Sequence, residues 1–357
     1  MPTSQFKVLD RNKAAERTEW LALWNAWPER EVFAHPDYPA LFAKPGDQIL
    51  CAVEVTTSGG VLFPFLLRPL AREEWVEDDN QSWDLVGPYG YGGVFAWGVD
   101  EDAENDFWVN FETWIERQNV VSSFVRLSLF PDQTIPFRGI VELNTSNIVR
   151  NLDIEPDALW REYEHKVRKN VNKAKQANLT VEIDSSGQRL EEFLAIYYST
   201  MDRRDASGTY YFPKSFFESL CTNLSGQYLF FHVLHESKMI STELVLVSQQ
   251  HLYSFLGGTL PDGFSMCPND LLKHEVNLWG RTAEKHSFVL GGGYNGEDGI
   301  FRYKKSFAPQ GVTSFFVGKQ IHQPAVYDRL VSQRQQWEES RGVTWTPKPG
   351  YFPLYRA

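Results

Sequence analysis

The chain has 357 residues, 42% of them apolar and 23% charged, with 12 Trp, 15 Tyr and 25 Phe. That composition supports a sizeable core and excludes a disordered or collagen-like polymer. Its 46 acidic against 35 basic side chains give a formal net charge of −11, so surface-wide attraction to a polyanion is not built in and DNA is not an expected partner.

At roughly 150 residues per domain the length suggests two domains. Cys51, Cys221 and Cys267 lie far apart without CxxC spacing, which encodes neither a disulfide framework nor a zinc site and fits a reducing, cytoplasmic location. From Met1 to Trp20 the charges Lys7, Asp10, Arg11, Lys13, Glu16, Arg17 and Glu19 interrupt every apolar stretch, so no signal peptide is read there. The longest apolar run, Val61 to Leu67, contains Pro64 and falls far short of the roughly 20 residues of a spanning helix.

In chain order, Trp20, Leu23, Trp24 and Trp27 predict a helix over Ala14–Trp27, and Ile49–Val55 with Val61–Leu67 predict a hairpin around Ser58, Gly59 and Gly60. A glycine-rich strand or loop follows from Asp84 to Phe95. Phe107, Trp108, Phe111, Trp114 and Ile115 then stripe a helix over Asp102–Arg117, before strands at Ser123–Phe130 and Gly139–Val149. Pro156 opens a single helix with Trp160, Tyr163, Val167, Val171 and Ala174 on its apolar face and a basic opposite face. Helices at Leu190–Met201 and Pro213–Leu224 lead to strands at Tyr228–Leu234, Ile240–Val247 and Leu252–Leu256, whose short gaps demand antiparallel pairing. A helix from near Pro268, a strand at Phe288–Leu290, a short helix over Gly299–Phe307, a strand at Thr313–Val317 and a closing helix over Pro324–Arg341 complete the order. The proline-containing tail from Thr344 reads as an extended strap. Two passes of helices, meander, helix and strand make this an α+β chain of two duplicated domains, residues 1–150 and 151–323, with a terminal helix and tail at 324–357.

Three features carry candidate chemistry. From Leu290 to Phe307 a strand ends in Gly291, Gly292 and Gly293 and leads through Asn295, Glu297 and Asp298 into a turn of helix bearing Arg302, Tyr303, Lys304 and Lys305. Glycines permit close backbone approach, and the cations can neutralise phosphate or oxyanion charge; the alternative is a turn before an ordinary solvated helix. The helix start at Pro268-Asn269-Asp270 follows a meander strand and Gly257-Gly258; helix starts offer N–H groups to anions, or Asn269 simply caps. The basic helix with His165, Lys166, Arg168, Lys169, Lys173 and Lys175 contacts phosphate or only water. His232 and His235, three apart on a predicted strand, point to opposite faces and oppose a shared metal. No Gly-x-Ser-x-Gly elbow supports hydrolase chemistry.

Taken together, Val32-Phe33-Ala34-His35-Pro36-Asp37-Tyr38, Gly87-Pro88-Tyr89-Gly90-Tyr91-Gly92-Gly93, Val167-Arg168-Lys169-Asn170-Val171-Asn172-Lys173-Ala174, Pro268-Asn269-Asp270-Leu271-Leu272 and the Leu290–Phe307 stretch resemble, in family order, the Fem-type peptidyltransferases and related GNAT-like acyltransferases. The resemblance spans nearly the whole chain. It implies tandem GNAT-like domains, each a mostly antiparallel sheet flanked by helices, that transfer an acyl or aminoacyl group to an amine of a cell-envelope precursor, peptidoglycan or surface polysaccharide, nucleotide- or lipid-linked. It also implies no tightly bound cofactor, with acyl-coenzyme A or aminoacyl-tRNA as co-substrate. The Gln/Arg-x-x-Gly-x-Gly/Ala loop of coenzyme A users is missing, and the long helical arm by which some Fem enzymes engage tRNA is missing too. Lys304 falls on the family's aromatic-Lys-x-x-Phe motif.

As a site, acyl transfer to an amine needs charge for a tetrahedral oxyanion and a group to take a proton. Lys304 is expected to supply the charge, with Arg302 beside it, and Asp298 or Glu243 to act as base. Tyr303, Asn269, Gly292, Gly293, Arg168 and Lys169 are the expected donor contacts, and Tyr89 and Tyr91 the expected acceptor pocket. Two further readings stay open: a coenzyme-A-dependent N-acetyltransferase of an amino sugar, and a duplicated binding protein without catalysis.

Overall fold

A computed structural model describes residues 5–76, 81–294 and 296–357; Asn295 and residues 1–4 of the sequence reading lie outside the described residues. The chain separates into two compact units. The first comprises the chain up to Pro28, Phe33–Asn144 and Phe315–Ala357; the second comprises Glu29–Val32 and Thr145–Ser314. The terminal helix and tail are thus part of the first unit. The physical reason is a cluster of Leu70, Trp75, Val76, Val121, Tyr327, Leu330 and Tyr355, all buried together.

In the first unit, β1 (Gln5–Asp10), α1 (Ala14–Ala26) and the short α2 (Asp37–Ala40) precede β2 (Gln48–Val55), β3 (Gly60–Pro69), β4 (Trp83–Val86) and β5 (Val94–Trp97). Next come α3 (Glu101–Arg117), β6 (Val120–Arg126) and the two-residue β7 (Thr134–Ile135). Strands β1 to β4 pair antiparallel in sequence order, while β4 and β6 pair parallel. Helix α3 starts where the Asp100 carboxylate accepts from the Ala103 N–H at 2.9 Å, with Glu101, Asp102 and Glu104 in its first turn. Such a cap with acidic residues satisfies orphan donors and opposes the helix dipole. The alternating Val61, Phe63, Phe65 and Leu67 of β3 meet Phe107, Trp108, Phe111 and Ile115 of α3 in one cluster, each large side chain contributing about 1.5–3 kcal/mol by burial.

Strand β8 (Ile140–Asn151) leads to α4 (Pro156–Glu162) and α5 (His165–Gln176). The single helix expected from Pro156 is therefore two. Tyr163 and Glu164 are extended, and the Glu164 N–H donates to Ser306 O at 2.9 Å instead of to its own helix. After β9 (Thr180–Asp184) come α6 (Leu190–Arg203), α7 (Lys214–Asn223), β10 (Tyr228–His235), β11 (Lys238–Val247) and β12 (His251–Thr259). The second unit ends with α8 (Pro268–Thr282), β13 (Ser287–Gly291) and α9 (Gly299–Lys305), after which β14 (Val312–Ile321) and α10 (Pro324–Ser340) run on. The predicted meander of β10, β11 and β12 is present, and β9, which was not predicted, joins it antiparallel to β10. Strand β13 then joins β12 in parallel and β8 antiparallel. The valines Val245 and Val247 of β11 pack with Leu271, Leu272 and Val276 of α8 and with Phe301 and Phe307 around α9. Among the described residues no helix is long and apolar enough to cross a membrane.

Candidate active site

Strands β12 and β13 are hydrogen-bonded only over His251–Tyr253 against Ser287–Val289. Beyond Tyr253, β12 keeps pairing with β11 alone, and the register slips so that Leu244 faces Leu256 while Val245 faces Ser254. The extra residue, Phe255, is a bulge that bends the strand away. Two parallel strands that part at their C-terminal ends leave an opening for a ligand. A cavity of about 240 Å³ lies there, lined by Thr242, Glu243, Ser254, Gly257, Gly258, Asn269, Lys273 and Tyr303 among others.

Burial and charge make this cavity unusual. Lys273 of α8 and Glu243 of β11 are both buried, and the ammonium donates to the carboxylate and, at 2.8 Å, to the Ser254 hydroxyl oxygen. The Ser254 hydroxyl in turn donates to Glu243 at 2.5 Å. Glu243 is a predicted base whose Oε1 is occupied by two donors. The Lys273 ammonium also lies 5.2 Å from the centre of the Phe288 ring, a cation–π contact in a dry setting. Lys273 was not singled out by sequence. The signal that marks it is its place one turn before Val276 and Asn277 on the buried stripe of α8, where a lysine is rarely left without a partner.

Helix α9 supplies the rest. Lys304 donates to the Gly292 carbonyl at 2.7 Å. Burial pushes its ammonium down to about 8, the Lys273 charge adds to this, and Glu243 and Asp298 oppose it. Desolvation penalises the charged form, so this lysine holds its proton less tightly than one in water. The Tyr303 hydroxyl is shut off from solvent without a hydrogen-bond partner among the described residues, and burial keeps its proton on.

Asp298 caps α9, accepting from the N–H groups of Ile300 and Phe301 at 2.9 Å and of Tyr294 at 2.8 Å. Gly293 must be glycine, because a Cβ there would meet Gly296 O at 2.2 Å and the Asp298 carboxylate at 2.6 Å. A Cβ on Gly292 would meet Ser146 O at 2.9 Å. Arg302 is exposed and donates to Glu297 O at 3.2 Å. Asn269 ties the start of α8 to the strands, its Oδ1 accepting from Ser241 at 3.0 Å and Thr259 at 2.5 Å. Next to it, burial pushes the Asp270 carboxyl up to about 6 against a hydrogen bond from Asn170. Arg168 donates to the carbonyls of Arg161 and Tyr163 at the α4–α5 break, and Lys169 is exposed. In the first unit, Tyr91 packs edge-on to Phe33 and Phe315, and Tyr89 lines a separate cavity. Among the described residues no group of three or more His, Cys, Asp or Glu could hold a metal ion.

Residues 161–305 match the family model of the acetyltransferase (GNAT) domain. The chain therefore carries a GNAT domain over most of its second unit and is an acyltransferase-type enzyme. Its whole fold is similar to that of FemX, at 12% identity over 87% of this chain and 97% of that one, with a TM-score of 0.64. It is also similar to L-PGS from Bacillus licheniformis (10% identity, 94% and 98% covered, TM-score 0.52) and to the C-terminal domain of a lysylphosphatidylglycerol synthetase described as putative from Agrobacterium fabrum (12%, 85% and 92%, TM-score 0.52). Among curated proteins the sequence finds no match.

Proposed function

We propose that the chain transfers an acyl or aminoacyl group to the amine of a cell-envelope precursor, with the chemistry at the parting of β12 and β13. The observation that carries this reading is the convergence of Lys273, Glu243, Ser254 and Tyr303 on that cavity, within electrostatic reach of Lys304. The amine nitrogen attacks the donor carbonyl carbon, and the oxyanion that forms draws on the Lys304 ammonium. The displaced amine proton passes through the Ser254 hydroxyl to Glu243, whose charge Lys273 balances. Collapse breaks the bond to the donor's sulfur or oxygen, Tyr303 gives its proton to that leaving group, and the proton held on Glu243 restores the Tyr303 hydroxyl through water in the cavity, so that both groups end as they began. The likeness in fold to FemX and L-PGS supports an envelope acceptor. The buried Asp270 carboxyl at the start of α8 is a specific observation against a pyrophosphate seated there at neutral pH, and it favours an aminoacyl ester over coenzyme A as donor.

The test is transfer from radiolabelled acetyl-coenzyme A and from aminoacyl-tRNA to a nucleotide-linked muropeptide and to an amino sugar. Transfer from either donor that vanishes in Lys304→Ala supports the reading. Acetylation of the amino sugar alone moves the acceptor to the second reading, and no transfer by a folded wild type leaves the binding-protein reading in place.

A further inference from the structure

Helix α9 carries Tyr303 and Lys304 but has only seven residues, too few to hold a position by its own hydrogen bonds. Its placement is decided at its ends. Asp298 caps the start. Past the other end, three bonds from outside the helix hold the chain: the Glu164 N–H donates to Ser306 O at 2.9 Å, the Val149 N–H to Gly311 O at 2.8 Å and Arg150 Nη1 to Phe307 O at 3.3 Å. Of these three, the Arg150 bond alone is made by a side chain.

Arg150 of β8 is 2% exposed, a rare state for an arginine. It stands opposite Phe288 of β13 in the ladder, so it shares a sheet face with the ring that meets Lys273. Its Nη1 also donates to the Glu162 carboxylate at 2.7 Å, and the Glu162 side chain is half exposed. The guanidinium lies 5.8 Å from the centre of the Tyr163 ring. That ring meets Phe307 edge-on at 5.6 Å, and Tyr303 meets Phe307 edge-on at 5.3 Å. Arg150 Nε and Nη2 have no hydrogen-bond partner among the described residues. An arginine so deep, with two unmet donors and a counterion half in water, adds little stability, since unmet buried donors cost free energy and an apolar residue of similar volume is often no worse. What it does supply is a fixed contact three residues past Lys304.

From these contacts we infer that Arg150 is a positioning residue for the proposed transfer, holding the Phe307 end of α9 so that Lys304 stays buried against the Gly292 carbonyl. The Phe307 N–H donates to Lys304 O at 3.1 Å, so the residue that Arg150 grips is bonded to the lysine itself. The charges facing the Lys304 ammonium are Lys273 of α8, Glu243 of β11 and Asp298 ahead of its own helix. Arg150 is not among them, and it acts through place rather than through its field. With the grip removed, α9 shifts and water reaches the ammonium, whose lowered proton affinity comes first from burial. The effect on rate rests on the acyl-transfer reading; the effect on the lysine does not.

The test uses the full chain with Arg150→Met and with Arg150→Gln, which is too short to reach Phe307 O. NMR of protein carrying isotope-labelled lysine follows the titration of each ammonium, and the Lys304 signal is the one missing from Lys304→Arg. In wild type it is expected to titrate near 8; in both Arg150 variants it should titrate at about 9 or above, towards a lysine in water. The melting temperature of Arg150→Met should stay close to that of wild type. Its kcat should fall about tenfold or more, as small misplacements of a reacting group do, with KM for the donor unchanged and the alkaline limb moved up together with the Lys304 signal. A Lys304 signal that titrates as in wild type, in either variant folded like wild type, overturns the assignment even if kcat falls. Absence of transfer by the wild type strikes the acyl-transfer reading instead and leaves the NMR result to decide on Arg150.

Discussion

Each unit places one parallel strand pair next to a crossover helix, yet the two recesses at those strand ends differ in kind. In the second unit a buried lysine–glutamate pair, a serine and a tyrosine hydroxyl with no hydrogen-bond partner among the described residues line the cavity. In the first, arginines dominate and a C-terminal tail completes the wall. The difference teaches that the sheet sets where a ligand can enter, while the side chains at the strand ends set what is done with it. Buried groups of shifted basicity suit proton and acyl transfer; fixed guanidiniums, which hold their charge at every physiological pH, suit recognition.

The comparison breaks most sharply at Lys304. Lys304→Ala should lower kcat by about 10²–10³, the range for loss of one oxyanion contact, while the melting temperature stays close to that of wild type. A melting temperature that drops with the rate would mean that the variant unfolds, which circular dichroism reports.

Next in size is the buried ion pair. Lys273→Met leaves Glu243 buried without its cation and should destabilise the chain by about 3–5 kcal/mol, read by urea unfolding. The double variant Lys273→Met, Glu243→Leu should recover most of that stability without recovering activity. Recovery of both would make the pair a packing device alone. Tyr303→Phe removes a hydroxyl that has no hydrogen-bond partner among the described residues, so its melting temperature should match or exceed that of wild type while transfer slows about tenfold or more, within the range for general acids.

The smallest expected effect is in pH. Lys304 loses its proton near 8, and the oxyanion needs the charged form, so kcat should fall as pH climbs through 8. Lys304→Arg, which stays charged, should flatten that alkaline limb even if its rate is lower; an alkaline limb that persists in Lys304→Arg would assign it to another group.

Much of the fold was legible because periodicity is local. The stripe Phe107, Phe111, Ile115 announces α3, and the alternation in Ile240–Val247 announces β11, since a helix or strand shows its buried face every 3.6 or 2 residues. The misses were tertiary. The stripe from Trp160 to Ala174 keeps helical spacing across Tyr163, yet Ser306 captures the Glu164 N–H and breaks the helix. Strand β9 has only a short alternation, Val181 and Ile183 between polar residues, and Val181 packs on the core while Ile183 is exposed, so five residues give a weak pattern. At the site, the motif pointed to Lys304 and Tyr303, but it also offered Asp298, whose proximity in sequence to Lys304 hides a capping role. Lys273 and Ser254 come from elements far from that motif.

By itself the sequence determined most of the helices and strands, the α+β plan and the glycine turn that precedes α9, because each depends on neighbours a few residues apart. Only the tertiary structure decided that Lys273 lies on Glu243, that Phe255 bulges and β12 leaves β13, and that Arg356, 272 residues from Asp84, shares its carboxylate with Arg68. Those pairings join distant parts of the chain, and burial, which lowers the proton affinity of Lys304 and raises that of Tyr303, exists only once the whole unit has packed.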